Sequence, residues 1–383
     1  MKCASCHQFP NAWWFPTNSL TNKLVFENLK HRPVRTLLGI VAISIQVTMV
    51  LTLVGLSDGM LNEQAVRARG VGADILVRPP GGSIIVSGGQ MIEKIIPVVI
   101  DKQPHVTVAS GTLIYGTDLF NYLTAVDLAS FNRLNGGFRF VQGGPFQHPD
   151  DMLVDEVYAT QHKLHVGDTI SNTGHKWHLS GIYEPGMLAR MVVPLATLQD
   201  LTENTGKVST VYVKVDNSTN IPAVISELSE KLKTYKVYSM EDYTSLFSAN
   251  NIPMLTDFIW VVVGVGVLVG FLVVFLSMYT AVLERTREIG VLKALGASPG
   301  YILNILLRET ILLAIAGSIL GILLSYVTRF VIRDLVHSAL IQAIVPGWWW
   351  RATAIAIVGA ILGSLYPGFK AARQDAIEAL AYD

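Results

Sequence analysis

Four stretches of this chain carry no charged side chain at all. There are 22 residues between Arg35 and Asp58, 26 between Asp257 and Glu284, 19 between Glu309 and Arg329, and 18 between Arg351 and Lys370. A hydrocarbon core about 30 Å thick needs about 20 apolar residues at helical rise, so each stretch is long enough to cross a bilayer. A soluble amphipathic helix shows charge on one face every turn, and these do not. The low overall charge, 15% against roughly 25% in an ordinary soluble domain, is therefore gathered into spans. The net charge is zero, which removes nucleic-acid binding through a basic excess, and two cysteines are too few for a disulfide scaffold.

The expected order is a cytoplasmic N-terminal segment with an interfacial helix (1–35), span one (36–57), an extracytoplasmic domain (58–256) and span two (258–283). A cytoplasmic elbow (284–298), span three (301–328), an outer loop (329–347), span four (348–369) and a cytoplasmic tail (370–383) follow. Span one is too long for a cleaved signal peptide, and Leu56-Ser57-Asp58 is a poor cleavage site. Lys23, Lys30, Arg32 and Arg35 precede it with only Glu27 opposing, which places the N-terminus inside. The cytoplasmic segments then sum to +4 and the outer ones to −4, with 11 Lys+Arg inside against 3 in the short outer loop. Trp348, Trp349 and Trp350 suit an aromatic belt at the outer interface.

The outer segment reads as mixed α and β. Met60–Arg69, Asp155–Leu164 and Ile221–Leu232 have helical spacing. Ala73–Val77, Leu113–Tyr115 and Val211–Val215 read as strands.

The elbow carries Ile289, Leu292 and Leu295 at helical spacing, with charges on other faces. Gly296 suits a helix C-terminus, and Ser298-Pro299 the start of the next helix. Such a helix either braces the bundle or presents a surface to a cytoplasmic partner, and periodicity does not choose.

Glu284-Arg285, Arg287-Glu288-Ile289-Gly290 and Lys293-Ala294-Leu295-Gly296-Ala297-Ser298 resemble the signature loop of the MacB/FtsX-like ABC transporter permeases. The tail is similar too: Pro367, Ala371-Ala372, Asp375-Ala376, Ile377-Glu378-Ala379-Leu380 and Tyr382, with Asp-Ala where the family has Asp-Pro. So are Leu29–Gly39, Val154-Asp155-Glu156, Leu164–Ile170, Leu179-Ser180-Gly181-Ile182 and Val193–Leu198. The resemblance implies four transmembrane helices, one before and three after a mixed α+β MacB-like periplasmic domain, with the FtsX-like permease region at about 258–380. It implies a permease that works by mechanotransmission. Glu284, Arg285, Glu288, Lys293 and Gly296 would couple to an ABC ATPase homodimer that carries ATP-Mg. Export or extraction of a hydrophobic or lipidated substrate is the implied function; a signalling device that regulates a periplasmic partner is the alternative. The expected partners are the ATPase, a second permease copy or paralogue, a periplasmic adaptor or membrane fusion protein, and the lipid bilayer, in the bacterial inner membrane. No cofactor is expected in this chain and no enzymatic activity, because no G-x-x-x-x-G-K-[ST] stretch occurs.

Other patterns compete for attention. Cys3-Ala4-Ser5-Cys6-His7 matches a haem-attachment pattern, on the side of the membrane where haem is not attached; chance spacing is the preferred reading. His162, His165, His175 and His178 are weak metal candidates, with surface histidines around a turn preferred. Gly266/Gly270, Gly317/Gly321 and Gly359/Gly363 are G-x-x-x-G pairs suited to close helix packing. Gln46 and Thr48 are polar residues within span one, suited to helix–helix hydrogen bonds. Arg308 and Glu309 read as side chains snorkelling to the interface.

Overall fold

The computed structural model describes residues 27, 30, 33–80, 90–116, 122–248, 252–334 and 341–373. Cys3, Cys6, His7, Lys23, Arg32 and the tail residues from 374 onward lie outside the described residues. The chain divides into two compact units. One holds Met1–Leu53, Trp260–Val327 and Val345–Asp383; the other holds Val54–Ile259 and Thr328–Ile344.

Four helices are long and apolar enough to cross a membrane. The first, α1, spans Pro33–Gly70. It does not stop at the last residue of the apolar run, and Met60–Arg69 is its continuation rather than a separate helix. Its 38 residues correspond to about 57 Å at helical rise.

Within the membrane unit, glycine sets which helices approach closely. The third membrane helix, Pro299–Asp334, lays Gly317 and Gly321 against α1. A Cβ at Gly317 would lie 2.7 Å from Ile43 Cβ, and one at Gly321 would lie 2.8 Å from the Ser44 carbonyl oxygen. The hydroxyl of Thr48 is shared between the Ser44 carbonyl of its own helix at 2.7 Å and the Gly321 carbonyl of the third membrane helix at 3.0 Å. The second membrane helix, Pro253–Glu284, sets Gly266 against Met49 and Gly270 against the Gln46 amide. The fourth, Gly347–Arg373, sets Gly359 near Val267, and a Cβ at Gly363 would lie 2.8 Å from the Phe271 carbonyl. All six glycines thus face neighbours within this chain. Val261, Val265, Leu268, Leu272 and Leu276 remain exposed on the second helix, as expected of a side presented to lipid.

The other unit is built on a mixed sheet. Its strands are β1 (Ile75–Arg78), β2 (Met91–Ile92), β3 (Val106–Gly116), β4 (Tyr122–Val126), β5 (Phe140–Gly143), β6 (Asp151–Asp155), β7 (Thr169–Asn172), β8 (His175–Tyr183), β9 (Met191–Pro194), β10 (Lys207–Val208), β11 (Thr210–Val215) and β12 (Lys236–Ser239). The main sheet runs β12-β1-β11-β3-β4-β9-β6-β8-β5, with β7 also on β8, and β10 pairs β2 separately. The pairs β4–β9 and β6–β8 are parallel. Alternate residues serve two cores, as the two-residue strand period requires. Ile75, Val77, Met152, Val154, Val211 and Val213 face one core with Trp177, Val224 and Leu228. Leu76, Leu153, Val192 and Tyr212 face the other with Phe131, Leu134 and Tyr183. Both faces are covered, so these strands read as apolar runs more than as alternations. The α+β class expected from the sequence is the one found.

Candidate functional site

The second membrane helix ends at Glu284. Arg285 leaves helical geometry, with φ −109° and ψ 13°, and a short helix, α2, then spans Thr286–Ala294. Its inner face is Thr286, Ile289 and Gly290, which accounts for the apolar period at Ile289. Its end is closed by a Schellman turn. Gly296 has φ +93°, its N–H donates to the Lys293 carbonyl at 2.9 Å, and the Ala297 N–H donates to the Leu292 carbonyl at 3.0 Å. A left-handed φ favours glycine because it has no Cβ to clash. The Ser298 hydroxyl then accepts from the Tyr301 N–H at 3.3 Å, and Pro299 opens the third membrane helix.

The elbow's surface is unevenly used. Glu284, Arg287, Glu288 and Gly296 are exposed and Lys293 is half-buried. Leu295 is 81% exposed, with Val291 and Leu283 also open. These three side chains leave apolar surface open on the elbow.

Arg285 behaves differently from the other sequence-derived elbow residues. It is buried, and its Nη1 donates to Glu309 Oε2 at 3.3 Å. The other oxygen of that carboxylate, Oε1, accepts from Arg35 Nη2 at 2.7 Å. Glu309 is 0% exposed. Its expected snorkelling is therefore corrected: the carboxylate turns inward because two guanidinium groups meet it there, which compensates the loss of water. Its neighbour Arg308 is exposed and donates to Asn304 at 3.2 Å. Sequence reasoning missed Glu309 as a junction. The available signal was an acidic residue at the margin of an apolar run, where an ionisable group calls for a named partner.

A second buried ionic group lies in the sheet-containing unit, at the far end of α1. Arg67 Nη2 donates to Asp155 Oδ2 and to Glu63 Oε1, each at 2.7 Å. Arg190 Nη2 donates to the same Glu63 oxygen at 2.7 Å. Burial works against the Arg67 charge, but Asp155 and Glu63 outweigh it and raise the guanidinium pKa above its ordinary value. Asp155 also caps the helix Glu156–His162, its Oδ1 accepting from the Tyr158 N–H at 2.7 Å. The nearby Tyr183 hydroxyl is pushed well above its usual pKa, by burial first and by Asp155 second.

The histidines do not converge. The helix Glu156–His162 ends at Lys163, which has φ 55°, and His165 lies beyond it, exposed at the turn. His175 Nε2 lies 2.9 Å from Asp150 Oδ1 and His178 Nδ1 lies 3.2 Å from Asp151 Oδ1. Among the described residues, no group of three His, Cys, Asp or Glu side chains is placed to hold a metal.

Comparison with known proteins adds the family. The model of the MacB-like periplasmic core domain matches residues 36–231, and that of the FtsX-like permease C-terminal region matches residues 260–376. The chain is 24% identical over 403 aligned positions to a macrolide export ATP-binding/permease protein MacB of Escherichia coli, covering 94% of this chain and 60% of that one. It therefore spans about three fifths of that relative's length. It is 25% identical to an uncharacterized ABC transporter permease, MJ1507, of Methanocaldococcus jannaschii, covering 93% of this chain and 96% of that one. The crystal structure of the periplasmic region of MacB from Actinobacillus actinomycetemcomitans aligns with 45% of this chain and 92% of its own, at 14% identity and a TM-score of 0.34. With the periplasmic-core match spanning half of the chain and the permease match following it, this multi-pass membrane protein belongs to the MacB/FtsX-like ABC transporter permeases.

Proposed function

We propose that this chain is a permease subunit that works by mechanotransmission, with ATP hydrolysed by an ABC ATPase outside its 383 residues. The observation that carries this reading is the elbow itself. A short helix with a buried inner face is held between two membrane helices, is closed by a Gly296 turn, and presents Leu295 outward. In this reading Glu284, Glu288, Lys293 and Gly296 meet the ATPase, and Arg285 fixes the elbow to the bundle. ATP-Mg stays in the ATPase. The lysine and arginine balance supports cytoplasmic termini and an outer sheet domain in a bacterial inner membrane.

The likeness to an uncharacterized ABC transporter permease, covered over 96% of its length, supports an ATPase carried by another chain. A second permease copy, identical or paralogous, completes the transporter, and a periplasmic adaptor or membrane fusion protein is a further candidate partner. The substrate class proposed is hydrophobic or lipidated, to be exported or extracted from the membrane.

Purification of the native complex, with mass spectrometry of bound proteins and lipids, tests this reading. An ABC ATPase is expected to co-purify and to be stimulated by the chain. Glu288→Lys and Gly296→Val are expected to leave the chain assembled while uncoupling ATP turnover from function. Variants that assemble and work normally would remove the elbow from the mechanism.

A further inference from the structure

The elbow-side halves of the second and fourth membrane helices bring aromatic rings together along one seam. On the second helix Phe271, Phe275 and Tyr279 follow one another at one-turn spacing, with ring centroids 6.1 Å apart at each step. On the fourth, Tyr366 and Lys370 are also one turn apart. Gly363 permits the helices to approach, since a Cβ there would lie 2.8 Å from the Phe271 carbonyl oxygen. The approach brings the Tyr366 ring to 5.9 Å from the Phe275 ring. It also sets the Lys370 ammonium 4.9 Å over the Tyr279 ring, where it donates to the Tyr279 hydroxyl at 3.2 Å.

The seam is an aromatic strip that ends in cations. Tyr366 is 62% exposed, and Lys370 and Arg373 are exposed in the last turn of the fourth helix. From Phe271 to Tyr279 the strip covers about 12 Å at helical rise. One leaflet of a hydrocarbon core about 30 Å thick is about 15 Å deep, so the strip matches the depth of a single leaflet. Basic groups placed between membrane helices attract anionic headgroups. Glu284, five residues beyond Tyr279, lies about 140° round the helix from it. A second copy of this chain fits the strip poorly. A symmetric contact there would set Lys370 and Arg373 against their own copies at the same depth, like charge against like charge.

We propose that this seam binds one anionic phospholipid of the elbow-side leaflet. An acyl chain lies along Phe271, Phe275 and Tyr366, and the phosphate meets Lys370 and Arg373. The site is separate from the elbow's contact with an ATPase and stands whether or not that contact exists.

Native mass spectrometry of the delipidated full chain in detergent tests this. The chain is titrated with dioleoyl phosphatidylglycerol or with dioleoyl phosphatidylethanolamine, which share their acyl chains. The first phosphatidylglycerol is expected to bind more tightly, and Lys370→Gln or Arg373→Gln to remove about fivefold each. Lys370→Arg and the control Arg308→Gln are expected to keep the preference. Tyr366→Ala is expected to weaken both lipids alike, because it removes surface and no charge. Equal binding of the two lipids by wild type, or a preference that survives Lys370→Gln, would overturn the proposal. So would displacement of the lipid by inorganic phosphate at the same concentration, which would make the seam an anion site with no use for the acyl chain. A lipid-free dimer that dissociates on Tyr366→Ala would overturn it in favour of a second copy.

Discussion

Arg67 and Asp155 lie 88 residues apart in the chain and meet at 2.7 Å, both closed to water. Removing one member of a buried pair leaves a charge without full compensation, at a cost of about 3–5 kcal/mol. Asp155→Ala also removes a helix cap worth about 1 kcal/mol. Asp155→Asn keeps a good capping residue and loses only the charge. The expected order of thermal stability for the purified chain in detergent is wild type, then Asp155→Asn, then Asp155→Ala, read by scanning calorimetry.

The glycine seats give a sharper contrast. A Cβ at Gly321 would meet Val47 Cβ and the Ser44 carbonyl at 2.8 Å, whereas one at Gly264 meets nothing within 4 Å. Gly321→Val is expected to lower the yield of monodisperse protein and its melting temperature. Gly264→Ala is expected to be neutral or to add up to about 1 kcal/mol through helix propensity. Size-exclusion profiles and melting curves of the two variants side by side check this.

Thr48→Val removes the hydroxyl shared with Gly321 and keeps the shape. Hydrogen bonds between membrane helices average about 0.6 kcal/mol, so the expected loss is small and distinct from that of Gly321→Val. A reversible unfolding titration in mixed micelles resolves a loss of this size.

Asp151 gives the pH dependence. Burial alone would raise its pKa, but hydrogen bonds from the Gln147 and His148 N–H groups, with His178 beside it, hold it below the ordinary 3.8. A depressed carboxylate pKa contributes stability that is fully present above the unfolded value and is lost as pH falls through the folded value. The wild-type melting temperature should therefore fall more steeply than that of Asp151→Asn as the solution is acidified through the carboxylate range. Parallel curves for the two proteins would show that Asp151 makes no such contribution.

Much of the fold was legible because it depends on local patterns. Charge-free runs mark the spans, and Gly296 followed by Ser298-Pro299 marks one helix ending and the next beginning. The strands at Ala73–Val77 and Val211–Val215 were visible because β-branched residues gather there. Pairings across the chain were not legible. Glu309 meets Arg35 from 274 positions away, and nothing local distinguishes that glutamate from one at a lipid interface. The continuation of α1 past Asp58 was hidden because charge appears there, although charge ends an apolar run without ending a helix.

The elbow's role is tested most directly by cross-linking at Leu295, which is 81% exposed. With Cys3 and Cys6 replaced by serine, Leu295→Cys is treated with a short bifunctional thiol–amine reagent in native membranes. One discrete product containing an ABC ATPase, diminished by Gly296→Val, is the expected result. Expression with normal membrane insertion but no ATPase in any cross-linked product would contradict the assignment of the elbow as the coupling site.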